Sequence, residues 1–443
     1  MVAQFALFPL WWLIGFVDAM WIPAAFVMAL YLARSRSLRV PRGFGIWLVF
    51  LIAASCSAIQ LDAPSQLIGF GYRLLIYVSC TVLFLYVYNG RELLRARVVS
   101  GTLVMYWLAT VLGGYLGLLF PAAVIRTPLS YVMPGGLLSN DLVNHMVIRR
   151  FAQYNPDGYF DIDPRPSAPF LYTNNWGNAY SLLLPFVVAY LVTVWGERRS
   201  WWLLAALPVS LVPAAMTLNR GMFIGLGIAL AYAALRLVLL RNTRAVLGLA
   251  GLAVVGMAAM AVLPVQDRLE NRLDQSSTTE DRASLYQQAI AVTAQSPLFG
   301  HGAPQEAANP NAPPVGTQGQ FWLVMVSHGP VAVGCFTGWF VYAWWGSRRR
   351  SDPIGLAANI VLLVGTVELL YYGVLPNGLP ILMAAAALAL RPSVVAADTA
   401  VAADTAVAAD TAVDSRLPPG PAPRARAASS RAIASTRSRG HLP

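Results

Sequence analysis

The sequence predicts an all-α polytopic membrane protein. It should have 11 or 12 transmembrane helices, a large extracytoplasmic loop between two late spans, and a disordered C-terminal tail. Three observations predict this. The 443 residues are 57% hydrophobic and only 12% charged, with mean hydropathy +0.57, which is far too apolar for a soluble chain. The apolar residues fall in runs long enough to cross a bilayer core as helices. The remaining charges sort by sign into alternate loops.

The apolar runs lie at 5–17, 19–33, 43–60, 66–88, 98–120, 172–194, 201–217, 221–240, 245–264, 320–346, 354–375 and 377–390. The first two are short and separated only by Asp18. They read as one broken span or a tight hairpin, which leaves the count at 11 or 12. The start lacks a charged segment and a small-residue cleavage site, so no removable signal peptide is expected. Cys56, Cys80 and Cys335 all sit in apolar runs and imply neither a disulfide framework nor a metal site.

All 31 basic residues are arginine, and the formal net charge is +11. Such a balance would suit nucleic acid if it clustered on a soluble surface. Here the arginines lie in short loops between apolar runs, so no nucleic-acid partner is expected. Segments 34–42, 89–97, 196–200, 236–244 and 347–353 carry fifteen arginines against three acids, Glu92, Glu197 and Asp352. The loops 121–171 and 265–319 carry seven arginines against ten acids. The arginine-rich loops should therefore be cytoplasmic, the two long loops extracytoplasmic and the C-terminus cytoplasmic. The expected location is a membrane, with lipid as an obligatory neighbour.

Residues 1–390 should form the transmembrane domain, and 391–443 a separate cytoplasmic tail. In the tail VAADTA occurs three times in succession from residue 395, followed by a Pro/Ala/Arg/Ser stretch. The repeat is too short for a solenoid and the composition too poor for a core.

Function is then sought in the long loops. Arg165 lies just before the span at 172–194, and Asn174, Asn175 and Asn178 open that span. The asparagines read either as caps for free helical N–H groups or as binding groups. Asp161 and Asp163 read as turn and solvent residues. In the second loop, Ser277 and Glu280 have capping-box spacing, so a helix is expected over about 278–295. Its apolar face would comprise Leu285, Tyr286, Ala289, Ile290 and Val292. Arg282 near its start is unfavourable to the helix dipole, which fits an anionic partner or a salt bridge to a loop acid.

Two charges fall inside apolar runs, Arg73 and Glu368. Each lies about 10 Å below the outer surface at 1.5 Å per residue. Intramembrane charges are expensive and usually paired, so the two are expected to form a structural ion pair. Gly221, Gly225, Ala229 and Ala233 make a small-residue stripe for close helix packing. That stripe would hold the turn "NRG" firmly, with Arg220 at the outer mouth of a cavity or anchored among headgroups.

Several of these motifs together resemble bacterial O-antigen ligases and polymerases. "NRG" resembles their short SRG-like turn, and "EDRASLYQQAI" their loop arginine leading an aromatic-containing helix. "SPLFGHG" resembles their P-L-x-G-x-G element, giving Gly300 and Gly302. "RPSAPFLYTNN" resembles an asparagine-bearing span start after an arginine. The resemblance covers about residues 40 to 390. It implies a metal-independent glycosyltransferase that needs no cofactor. Such a protein moves a glycan from a polyprenyl-diphosphate carrier to a glycan, lipid or cell-wall acceptor on the outer face. Arg220, Arg282, Arg165 and Asn175 would bind substrate, since guanidinium forks suit diphosphate oxygens.

The sequence departs from the family where a histidine usually follows the GxG element. Here Gln318 or Gln320 stands in its place, and His301 and His328 are the nearby histidines. Gln318, His301 and His328 are the candidates for the acceptor-activating role. Two other classes stay open: a flippase or transporter of lipid-linked sugars, and a non-catalytic partner in envelope assembly.

Overall fold

The structure is a computed structural model. It describes residues 1–35, 37–154, 164–262, 278–310 and 312–392. The expectations for the tail repeats, for Asp161 and Asp163, for the Ser277 cap and for 263–277 lie outside the described residues.

Helices dominate. In chain order they are α1 (Val2–Ala6), α2 (Phe8–Ile14), α3 (Trp21–Ala33), α4 (Phe44–Cys56), α5 (Gln66–Asn89), α6 (Ala96–Leu119), α7 (Pro128–Val132), α8 (Gly135–Leu138) and α9 (Asp141–Val147). They continue with α10 (Thr173–Thr193), α11 (Arg198–Met216), α12 (Arg220–Leu239), α13 (Thr243–Val262), α14 (Thr278–Gln295), α15 (Gln320–Gly346), α16 (Pro353–Glu368) and α17 (Gly378–Leu390). Strand structure is confined to two short antiparallel pairs in the first long loop. β1 (Val124–Arg126) pairs with β2 (Ile148–Arg150), and β3 (Ala152–Gln153) pairs with β4 (Arg165–Pro166).

Among the described residues, six helices are long and apolar enough to cross a membrane: α5, α6, α10, α11, α12 and α15. Five shorter apolar helices, at Trp21–Ala33, Phe44–Gln60, Thr243–Ala258, Pro353–Glu368 and Gly378–Leu390, complete the bundle. Large apolar side chains stay exposed around it, including Ile52, Trp201, Trp202, Ile224 and Leu247, as expected of a surface solvated by lipid. The all-α polytopic expectation is met.

At the N-terminus the hairpin reading is the observed one. The chain folds back between Gly15, with φ 92°, and Met20. The reversal sets Phe5 against Trp21 with ring centroids 5.1 Å apart. The apolar, helix-packed core is centred on α10, whose residues Trp176 to Leu183 are almost wholly buried between α6, α16 and α12.

Two faces result from the alternation of the helices. Salt bridges and loop contacts join the ends of α5, α10, α12, α15 and α17 that begin on one face to the long loops. Asp18 binds Arg149 at 2.7 Å, and Arg165 donates to the Thr217 carbonyl at 2.7 Å. The opposite face gathers the arginine-rich turns, where Arg236 donates to the Arg350 carbonyl at 2.6 Å and Arg391 to the Leu94 carbonyl at 2.7 Å. The two long loops thus share one face, and the arginine-rich segments share the other.

Candidate functional site

The site begins with the turn "LNR" between α11 and α12. Leu218 takes a positive φ of 50°, and Asn219 is extended at φ −95°, ψ 92°. Buried Asn219 fixes this reversal from both ends of its amide. Its Nδ2 donates to the Thr173 carbonyl at 3.2 Å, and its Oδ1 accepts from the Tyr372 hydroxyl. Held this way, the turn leaves Arg220 exposed at the first residue of α12.

Arg165 reaches the same turn from the other loop. It sits on β4 and donates through Nε to the Thr217 carbonyl. Arg282 comes from α14, which spans Thr278–Gln295 as the sequence predicts. Leu285 and Ala289 on that helix are buried against Val315 and Val326, and Tyr286 stacks on Trp322 with centroids 4.4 Å apart. Ile290, expected on the same apolar face, is 59% exposed. The helix is therefore seated on the start of α15 by a narrower stripe than the sequence indicates. Arg282 and Tyr286, one turn apart, point the same way.

These groups enclose a cavity of about 390 Å³. Arg165, Arg220 and Arg282 line it together with Asn174, Asn219, Tyr286, Tyr371 and Tyr372, and with Leu218, Gly221 and Ala283. No carboxylate is part of that lining among the described residues. Burial, with Glu368 and Tyr371 beside it, raises the Tyr372 phenol well above its ordinary range against the opposing pull of Arg165 and Arg282. Tyr372 is thus a neutral hydroxyl in a cationic cavity. Three permanently charged guanidiniums around one opening make a receptor for an anion with several oxygens.

One helical turn deeper the same helices supply a polar floor. Asn178 of α10 donates to Glu368 Oε2 at 2.7 Å, and Glu368 is fully buried. Glycines make room for this layer. A Cβ on Gly225 would stand 2.1 Å from Glu368 Oε1, and one on Gly221 2.7 Å from the Tyr372 hydroxyl. The glycine half of the small-residue stripe therefore accommodates polar groups of α16 and the turn after it. The alanine half, Ala229 and Ala233, is buried in the expected helix contact.

The expected Arg73–Glu368 pair is not formed. Arg73 instead donates to the Gly302 carbonyl at 3.1 Å, while Glu368 accepts from Asn178 through Oε2 and its Oε1 has no hydrogen-bond partner. The two residues face different neighbours. The loop they would have had to bypass is docked on α15, where Gly329 (φ 84°) and Pro330 interrupt the helix. Proline has no N–H for the Val326 carbonyl. His301 N–H donates to Val326 at 2.9 Å and Gly302 N–H to the Ser327 carbonyl at 2.8 Å instead. Gly300 and Gly302, at φ 65° and 69°, are needed for that approach: a Cβ on Gly300 would lie 2.6 Å from the Val326 oxygen. Arg73 closes the docked loop from α5.

The remaining predicted residues fall elsewhere. Asn174 lines the cavity where Asn175 was expected; Asn175 donates to the Gly373 carbonyl at 3.3 Å and so braces the tyrosine turn. None of Asn174, Asn175 and Asn178 caps α10, whose N-cap is Tyr172. Gln318 is half-buried, within 3.4 Å of Thr317 Oγ1 and outside the cavity lining. His301 bonds through Nε2 to the Val292 carbonyl at 3.0 Å. His328 is buried, its Nδ1 2.6 Å from Ser57 Oγ. Gln320 is also buried, donating to the Tyr77 hydroxyl at 2.9 Å while its Oε1 accepts from Val374 N–H at 3.2 Å. The two histidines and Gln320 thus hold the loop and α15 in place. The sequence reading missed Tyr371 and Tyr372. Their signal was a polar "YYG" interrupting an apolar run right after Glu368.

Fold and site together define a multi-pass helical membrane protein with an arginine- and tyrosine-lined cavity on its loop face. Residues 205–325 match the family model described as O-antigen ligase, so that stretch of the chain is similar to the O-antigen ligase family. The match holds Arg220, Arg282, Gly300 and Gly302, the motif residues that carried the resemblance. That match supports a ligase- or polymerase-type role in envelope polysaccharide assembly at a membrane. Comparison with curated proteins and with solved structures returned no match.

Proposed function

We propose that the chain transfers a glycan from a polyprenyl-diphosphate carrier to a glycan, lipid or cell-wall acceptor on the extracytoplasmic face of the cytoplasmic membrane. The observation that carries this reading is the convergence of Arg165, Arg220 and Arg282, from three separate segments, on one cavity. The acceptor hydroxyl attacks the anomeric carbon, its proton passes to water, the bond to the diphosphate oxygen breaks, and the carrier diphosphate leaves. Guanidiniums already in position stabilise the charge that develops on the leaving oxygen without reorganising. A diphosphate leaves as an anion without being protonated, so the clamp and the alignment of the reactants supply the larger share of the rate. Tyr371, Tyr372 and Tyr286 offer hydroxyls and ring faces to the sugar next to that diphosphate. Gln318, half-buried on the segment leading into α15, would orient an arriving acceptor by hydrogen bonding.

The test is a purified-protein assay with a polyprenyl-diphosphate glycan donor, reading release of polyprenyl diphosphate. Arg220→Lys keeps the charge and loses the fork. Loss of one such donor typically lowers turnover about 10²–10³-fold. Arg220 is exposed, so the fold should hold. Release that is unchanged in both Arg220→Lys and Arg220→Ala overturns the clamp. Movement of the intact carrier across vesicles without any release of diphosphate would make the protein a flippase instead.

A further inference from the structure

The arginine-rich face carries a second cationic cluster that transfer chemistry does not use. Arg391, at the end of α17, is only 8% exposed. One nitrogen, Nη1, donates to the Leu94 carbonyl; the other two, Nε and Nη2, are buried without a hydrogen-bond partner. Arg350 donates to the Arg391 carbonyl at 2.5 Å, so its guanidinium lies against the same residue. Arg91, on the turn that also contains Leu94, is the third. Its guanidinium rests over the Tyr88 ring at 5.2 Å, and its Nε donates to the Tyr88 carbonyl at 3.3 Å. Among the described residues, the acid that binds within this group is Asp352, and both its oxygens already take Arg350, at 2.8 and 3.1 Å. Burial, then Arg91 and Arg350, lower Arg391 to about 10, so it is still a cation at neutral pH.

Buried guanidinium N–H groups without acceptors are costly. A cluster with three cations and one committed carboxylate therefore has room for one more anion. The surroundings set its kind. Leu93, between Arg91 and Leu94, is 83% exposed, and Trp345 is 57% exposed with Arg348 stacked over its ring at 4.3 Å. Exposed leucine and tryptophan beside arginine at helix ends mark the headgroup level of a bilayer. We propose that Arg91, Arg350 and Arg391 form a binding site for a phosphate group, that of an anionic phospholipid headgroup. The site is distinct from the cavity on the loop face and does not depend on transfer activity.

The experiment uses the full-length chain in detergent with phosphatidylglycerol or phosphatidylcholine added, and lipid retention is read by native mass spectrometry. The unaltered protein should retain phosphatidylglycerol on the order of tenfold better, and Arg91→Gln should remove most of that preference. The Arg91 guanidinium makes one hydrogen bond, to the Tyr88 carbonyl, and rests on the Tyr88 ring, so this variant should fold. Arg198→Gln and Arg199→Gln, exposed arginines on the same face, should leave the preference intact. Inorganic phosphate is the second arm. If it protects against unfolding in an Arg91-dependent way as well as phosphatidylglycerol does, the site holds and its source is soluble phosphate. Equal retention of both lipids with no effect of phosphate overturns the site. An equal loss in Arg198→Gln and Arg91→Gln also overturns it, because the attraction is then that of the whole charged face.

Discussion

Adding one methyl group at Gly225 should distort the floor of the cavity, while the same methyl two residues on should not. In a helix, Gly→Ala is intrinsically stabilising by about 0.5–1 kcal/mol. Gly227 has no neighbour within 4 Å of an added Cβ, so Gly227→Ala should show that gain alone. At Gly225 the Cβ would stand 2.1 Å from Glu368 Oε1 and 3.1 Å from its Cδ. The carboxyl must retreat by about 1 Å to reach ordinary contact. It has nowhere to go, because Glu368 is fully buried and its other oxygen is held by Asn178 at 2.7 Å. Overpacking of a tight interior costs about 1–3 kcal/mol, and a displaced hydrogen bond adds about 1 kcal/mol. After subtracting the helix gain, Gly225→Ala should destabilise by about 1–3 kcal/mol, opposite in sign to Gly227→Ala. Denaturant unfolding of the two variants in one detergent measures the gap. Glu368→Ala placed on Gly225→Ala should recover part of the loss, because it removes the atom that clashes; the cycle isolates the pair. Equal shifts for Gly225→Ala and Gly227→Ala, or no coupling to Glu368, would refute the account of why α12 carries glycine there.

Other outcomes are expected elsewhere in the molecule. Asp18→Asn strands Arg149, whose side chain is 2% exposed with Nε and Nη1 already lacking partners. It should cost about 3–5 kcal/mol, while Asp18→Leu combined with Arg149→Met should recover most of the loss; a double variant as unstable as the single one argues against the buried-pair explanation. Cysteines placed at 160 and 310 in a Cys56→Ser background should react with an impermeant thiol reagent on whole cells, and one at 349 should not. Labelling at 349 with silence at 160 inverts the proposed orientation. Gln318→Ala should lower transfer less than Arg220→Ala does, and Gln318→His should keep or raise it. If both Gln318 variants match the unaltered protein, acceptor orientation belongs to another residue.

The sequence disclosed the parts of the fold that one-dimensional patterns encode. Apolar run length located the helices, and α14 appears at 278–295 because its amphipathic periodicity is local. Arg165, Arg220 and Arg282 were legible as charges stranded between apolar runs. Pairings set by which helix faces which were not legible. Arg73 and Glu368 each lie seven residues along their runs, and that count alone invited a pair, yet azimuth around each helix decides partners, and no spacing reports it across the bundle. The same limit hid Tyr371 and Tyr372, which look like membrane filler until the cis bond at Leu375–Pro376 and the start of α15 are seen beside their turn. The interval between Asn174 and Asn175 is one residue, about 100° of helix rotation, enough to exchange cavity and brace. Gln320 occupies its place for a reason of chain geometry: its backbone N–H and both side-chain termini tie α15 to the tyrosine turn and to α5.

The cavity wall is assembled from segments far apart in the chain. Residues 205–325 supply Arg220 and Arg282, but Arg165 and Asn174 come before that stretch and Tyr371 and Tyr372 after it. Asn219 is joined to both outside contributions, through the Thr173 carbonyl and the Tyr372 hydroxyl. For anyone building chimaeras, the unit of exchange is consequently a triplet of fragments. Transplanting the central stretch alone would put a foreign turn against native partners that no longer meet its amide. A graft intended to carry specificity from one such protein to another has to bring 165–178 and 368–378 along with it.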